Sequence, residues 1–151
     1  TGFDVENNER HIYVEIKNKH NTMNSSSSKN TYIKMQRTIL EDDPAVCMLV
    51  EVIAKKSQNE KWKISIDKTS MAHERIRRVS IDKFYNIVFD DKDAFAKLCK
   101  ALPALLDDVL AEVALDSSAN TVFQELREFS PNILHSMYLL AFKTYDGFDQ
   151  F

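Results

Sequence analysis

Apolar and polar positions alternate from His11 to Lys17, with Ile12, Val14 and Ile16 on one side and Tyr13, Glu15 and Lys17 on the other. Successive strand side chains point to opposite faces, so the pattern predicts an amphipathic strand. Phe3-Asp4-Val5 carries the same alternation and places Phe3 and Val5 with the apolar set and Asp4 with the polar one. The two segments form a hairpin whose register depends on its turn. A four-residue loop, Asn7 to Arg10, sets Asp4 opposite Tyr13 and diagonal to Glu15, with diagonal Cα atoms roughly 7–8 Å apart. A two-residue Asn7-Asn8 turn sets Asp4 opposite His11 and out of reach.

Asn18 to Lys29, with four serines in a row, reads as a loop. Asn30 to Leu40 reads as a helix capped by Asn30 or Thr31. Tyr32, Met35, Ile39 and Leu40 form its apolar stripe, and Lys34 and Arg37 sit apart from it. After Pro44, Ala45 to Ala54 is apolar except at Glu51, as expected of a strand buried on both faces. Trp62 to Asp67 alternates as another strand, and Arg75 to Ile81 reads as a further one. From Ser80 the texture becomes helical: a short segment begins at Ile81, and Asp90 to Asp93 mark a new start. Phe95, Leu98, Leu102, Leu105, Leu106, Val109, Leu110 and Val113 recur near helical spacing, and Pro103 is expected to kink that helix or open a second one. Asn120 to Phe129 reads as another helix, and Ser130-Pro131 as the cap and first position of a last one to about Lys143. The fold class is α/β: a short mixed sheet flanked by helices, then a helical C-terminal half. No internal repeat is visible.

The polar face of the hairpin changes the picture from fold to chemistry. Two carboxylates, Asp4 and Glu15, can hold a hard divalent cation through oxygen. Such a cation activates water and neutralises charge on a phosphate under in-line attack. Lys17 beside it can orient or deprotonate that water. An ordinary hairpin with a solvated charged face shows the same spacing, so spacing alone leaves both readings open.

The run Glu15-Ile16-Lys17-Asn18-Lys19-His20-Asn21-Thr22, preceded by Thr1-Gly2-Phe3-Asp4-Val5, resembles the catalytic hairpin of type II restriction endonucleases of the PD-(D/E)xK superfamily. Within that superfamily it is most similar to the group that cuts GGNCC or GGWCC sites. Weaker similarity continues through Ile81-Asp82-Lys83-Phe84-Tyr85 and Leu98-Cys99-Lys100-Ala101-Leu102-Pro103. The resemblance implies a restriction-endonuclease-like mixed β-sheet. It implies Asp4, Glu15 and Lys17 as the catalytic set, with Asp4, Glu15 and the Ile16 carbonyl as ligands of Mg2+. Phe3 stands where the superfamily name has proline. Double-stranded DNA is the implied substrate. Duplex cleavage needs two such sites, so a homodimer is expected, its two-fold symmetry matching a palindromic site.

At 151 residues the chain is long enough for one domain. Residues 1–83 would supply the catalytic sheet and helix, and 84–151 the helical region. The chain opens with Thr-Gly almost on the candidate site; it is expected to be the C-terminal part of a longer endonuclease domain whose N-terminal portion is absent. The net charge of −3 argues against generic nucleic-acid binding, but its distribution argues the other way. From Arg10 to Arg37 the basic residues are Arg10, Lys17, Lys19, Lys29, Lys34 and Arg37, against Glu15 alone. From Asp90 to Glu128 nine acidic residues face four basic ones. A basic half that carries the motif suits a protein presenting one face to phosphates.

Candidate DNA contacts are Lys19, His20 and Asn21, because Asn pairs with adenine and Lys with guanine. Arg75, Arg77 and Arg78 are candidates too, set against surface pairing with Glu74 or Asp82. Glu51 reads as a strand-end carboxylate or a polar residue near the metal. Gln36 would support Lys17 or face solvent. Cys47 and Cys99 match no metal-ligand spacing and read as free buried thiols, which suits a reducing, cytoplasmic setting. No apolar stretch approaches the ~20 residues of a membrane span. With two glycines there is no glycine-rich phosphate loop. Two rivals remain: a structure-specific repair or junction nuclease on the same scaffold, and a non-enzymatic interaction domain.

Overall fold

The computed structural model describes residues 2–112 and 133–148. β1 (Val5–Asn7) pairs antiparallel with β2 (Ile12–Lys19), and α1 (Ser25–Glu41) then crosses to β3 (Val46–Ile53), which runs parallel to β2. β4 (Asn59–Lys61) follows, then a separate ribbon of β5 (Ile64–Ile66) and β6 (Thr69–Met71). β7 (Ile76–Ser80) lies parallel to β3 and antiparallel to β4. The helices α2 (Ile81–Phe89), α3 (Ala94–Glu112) and α4 (Ile133–Phe142) come after the strands. The five-stranded sheet has the order β1-β2-β3-β7-β4. Its core is three parallel strands with antiparallel edges, the mixed α/β sheet the pattern predicted.

The continuous apolar run of β3 follows from burial on both sides. On one face Val14, Met48, Val50 and Val79 pack with Ile81, Phe95, Ala96, Cys99, Phe142, Tyr145 and Phe148. On the other, Cys47, Leu49 and Ile76 lie under Tyr32, Met35 and Ile39 of α1, with Trp62 beside them. The Tyr145 hydroxyl clasps the end of β3: it accepts from Ala54 N at 2.6 Å and donates to the Val52 carbonyl at 2.8 Å. Cys47 and Cys99 are free and buried, and burial pushes their thiols up to about 12 and about 11.

Several expectations are corrected. The serine run is not a loop but the first turn of α1, which begins at Ser25 rather than Asn30. Asn24 caps it, its side-chain oxygen accepting from Ser27 N at 2.8 Å; this satisfies one of the donors a helix start leaves unpaired. The strand expected over Trp62 to Asp67 is split. Trp62 is buried, and its N–H donates to the Ile76 carbonyl at 2.9 Å just past β4. β5 instead folds onto β6 through Asp67 and Lys68, both left-handed at φ 48 and 68, the conformation of a tight hairpin turn. Pro103 lies inside α3 without ending it. The helix expected over 120–129, and the Ser130-Pro131 start, fall outside the described residues. Among the described residues no helix is long and apolar enough to cross a membrane.

Candidate active site

The β1–β2 register decides where Asp4 stands. The paired residues are Val5 with Val14, Glu6 with Tyr13 and Asn7 with Ile12. The loop is therefore Asn8 to His11, one residue later than expected, and His11 turns it with φ 51. Carried one residue further, this register sets Asp4 level with Glu15 instead of diagonal to it. The slip is even, so Asp4 keeps the polar face. Phe3 does not join Val14; its ring lies 5.5 Å from that of Tyr13, on the α1 side. Asp4 Oδ2 accepts from Ile16 N at 2.7 Å. In a strand the N–H and C=O of one residue point to the same edge. The Ile16 carbonyl thus points to the same edge as Asp4, beyond the first residue of β1.

Glu15 is 8% exposed and carries two ammonium partners. Lys17 Nζ lies 3.3 Å from Glu15 Oε2. Lys34 reaches down from α1 to Glu15 Oε1. The same Lys34 ammonium donates to the Gly2 carbonyl at 3.1 Å and sits 4.1 Å from the centroid of the Phe3 ring. Sequence reasoning missed Lys34. No local pattern signalled it, because Lys34 sits apart from the apolar stripe of α1 and its partner is on another element. Gln36, for which support of Lys17 and a solvent-facing place were both open, lines a pocket with Ile39, Leu40, His73 and Ile76.

Lys17 stands in register with Glu51 of β3. Glu51 is 2% exposed. Arg78 grips its Oε1 with Nε at 3.1 Å and Nη2 at 2.6 Å, and Gln58 Nε2 lies 3.4 Å from Oε2. Arg78 Nη2 also donates to the His20 carbonyl at 3.1 Å. Glu51 is therefore a buried carboxylate near the end of β3, paired with Arg78 and level with Lys17. A cleft of about 590 Å³ opens here, lined by His20, Asn21, Lys55, Lys56 and Arg78 among others. A second cleft of about 210 Å³ includes Lys17 and Lys19 and shares His20, Glu51 and Arg78 with it.

Of the expected DNA contacts, His20, Asn21 and Arg78 line the first cleft, and Lys19 lines the second with His20 and Arg78. Arg75 and Arg77 line neither. Arg77 follows the pleat to the opposite face and donates to Asn59, to Oδ1 at 2.9 Å and to the carbonyl at 2.6 Å. Arg75 precedes β7, at the far end of the strands, 3.7 Å from Asp43.

The groups expected to hold a metal, Asp4, Glu15 and the Ile16 carbonyl, are all oxygen donors, a chemistry that suits a hard divalent cation. Among the described residues no group of three or more His, Cys, Asp or Glu gathers as a metal cluster. Such a cation would complete its shell with water and phosphate oxygens, as magnesium commonly does.

A family model described as Eco47II restriction endonuclease matches residues 1–111, from the hairpin through most of α3. The chain belongs to this family. Asp4, Glu15, Lys17, Lys34, Glu51 and Arg78 all fall within the matched span. The type II restriction enzyme Sau96I of Staphylococcus aureus is 35% identical over 133 residues, covering 82% of this chain and 51% of that protein. The chain thus spans about half the length of the curated relative it matches. No solved structure matches. The described residues give a restriction-endonuclease-like sheet with its charged hairpin at one edge and a cleft of mixed charge beside it.

Proposed function

We propose that the protein is a type II restriction endonuclease that hydrolyses phosphodiester bonds in double-stranded DNA at a short site. Sites of the GGNCC or GGWCC kind follow from the resemblance of the hairpin. The observation that supports the proposal is the register that sets Asp4 level with Glu15, with Lys17 paired to Glu15 and lining the neighbouring cleft, in a chain of this family. Asp4 and Glu15, with the Ile16 carbonyl, would hold Mg2+. When bound, the cation supplies charge neutralisation at the scissile phosphate and lowers the cost of generating the nucleophile.

The chain's own residues do the rest. Lys17 is partly exposed, so its ammonium can turn from Glu15 toward the cleft and hold the attacking water or a non-bridging phosphate oxygen. Glu51, fixed by Arg78, places a second negative charge beside Lys17 on the sheet. Lys19, His20, Asn21 and Arg78 would contact the nucleic acid along the two clefts, where each phosphate contact adds a salt-dependent share of affinity. Two such sites in a homodimer would cut both strands of a palindrome.

The test is digestion of plasmid DNA by the full-length protein with Mg2+, alongside Lys17→Ala and a chelator control. Discrete fragments, lost in both controls, support the proposal. Unselective degradation points to a structure-specific nuclease, and intact DNA from folded, metal-supplied protein to a binding role.

A further inference from the structure

We propose that Lys34 is a positioning residue that holds the Glu15 carboxylate as an internal cation and gives it up when the divalent cation binds. This rests on the reading of Glu15 as a metal ligand. The Lys34 ammonium is surrounded as a bound cation would be: by Glu15 Oε1, by the Gly2 carbonyl at 3.1 Å and by the face of the Phe3 ring at 4.1 Å. Aromatic faces attract such a charge electrostatically. These contacts tie α1 to β2 and to the segment that leads into Asp4. The arrangement therefore holds both carboxylates near their working places before any metal arrives.

It also sets a conflict. Glu15 is nearly buried and already has Lys17 at Oε2 and Lys34 at Oε1. A divalent cation and an ammonium cannot share Oε1 at close range without strong repulsion. Lys34 is 32% exposed at its side chain, so it has room to swing outward along α1. Metal binding and the Lys34–Glu15 pair are then competitors, and linkage fixes the consequences.

Calorimetric titration with Ca2+, without DNA, tests this on wild type, Lys34→Gln and Glu15→Gln. Removal of the competing pair should tighten Ca2+ binding by about three- to fivefold, the scale of a part-exposed ion pair. Lys34→Gln should melt below wild type without metal and match it at saturating Ca2+. In the wild type itself, the NMR signals of the Lys34 ε-methylene should move as Ca2+ is added, a readout that needs no variant to fold. Equal or weaker Ca2+ binding by Lys34→Gln, a melting gap that persists with Ca2+, or an unmoved Lys34 signal overturns the proposal. Ca2+ binding that Glu15→Gln leaves untouched overturns the metal-ligand reading beneath it as well.

Discussion

Lys17 on β2 and Glu51 on β3 stand side by side in register, and Glu51 is in turn held by Arg78 from β7. The three parallel strands thus share one polar chain across the sheet at the ends of β2 and β3. Removing Arg78 would leave a carboxylate that is 2% exposed with Gln58 as its remaining side-chain hydrogen-bond partner among the described residues. Arg78→Met should cost about 1–3 kcal/mol, discounted from a fully buried pair because Arg78 is partly exposed. The double variant Glu51→Met/Arg78→Met should recover much of that loss. Urea denaturation of the four proteins decides it: additive losses would mean the pair is not coupled.

The opposite end of β2 carries a pH-sensitive clasp. His11 Nδ1 lies 2.9 Å from both oxygens of Asp42, and the Tyr13 hydroxyl donates to Oδ2 at 2.9 Å. The His11 hydrogen bond, against the opposing effect of burial and with help from Tyr13, holds the Asp42 carboxyl below its ordinary range. The folded protein then binds that proton less readily than the unfolded chain. The stabilisation is complete above the unfolded value of about 3.9 and is lost as pH falls through the depressed folded value. Asp42→Asn should be less stable than wild type near neutrality, and the gap should close in acid. Denaturation midpoints measured from pH 3 to 7 check this.

Asn24 tests the reassigned helix start. If the serines form the first turn of α1, Asn24→Ala loses the bond to Ser27 N and about 1 kcal/mol. Ser27→Gly, inside that turn, should also lower stability. A loop would tolerate both changes, and thermal melts separate the cases.

Tyr145→Phe removes the hydroxyl that Ala54 N and Val52 O share. The unpaired, buried Ala54 N–H should cost about 1–3 kcal/mol. Amide hydrogen exchange at Ala54 should speed up more than exchange at Val14, in the middle of the sheet. Equal acceleration at both would mean that the clasp acts globally instead.

What the sequence revealed, and what it hid, divides along physical lines. β2 and β3 were legible because alternation and continuous apolarity are direct consequences of facing one core or two. Asp4, Glu15 and Lys17 were legible as one polar face by the same pleat. The hairpin register was not, because the residues after β1 permit several turns and only the left-handed His11 selects one. The serine run hid the start of α1, since serine serves loops and first helical turns equally well. Lys34 was hidden because its partner lies across a β–α crossover, and no local pattern measures how far a helix rotates over a sheet. Arg77 and Arg78 are adjacent in sequence, yet the pleat sends one to the cleft and the other to Asn59.

In the proposed reaction Lys17 and the two carboxylates perform the chemistry. The most direct test of this is the single-turnover cleavage rate of a short duplex carrying GGNCC and GGWCC sites, at saturating Mg2+. Wild type, Lys17→Ala and Asp4→Asn of the full-length protein are compared at matched DNA occupancy. Rates should fall by about 10²–10⁴-fold in each variant, the usual scale of a lost catalytic group, with DNA binding retained. Cleavage by Lys17→Ala at the wild-type rate would contradict that assignment.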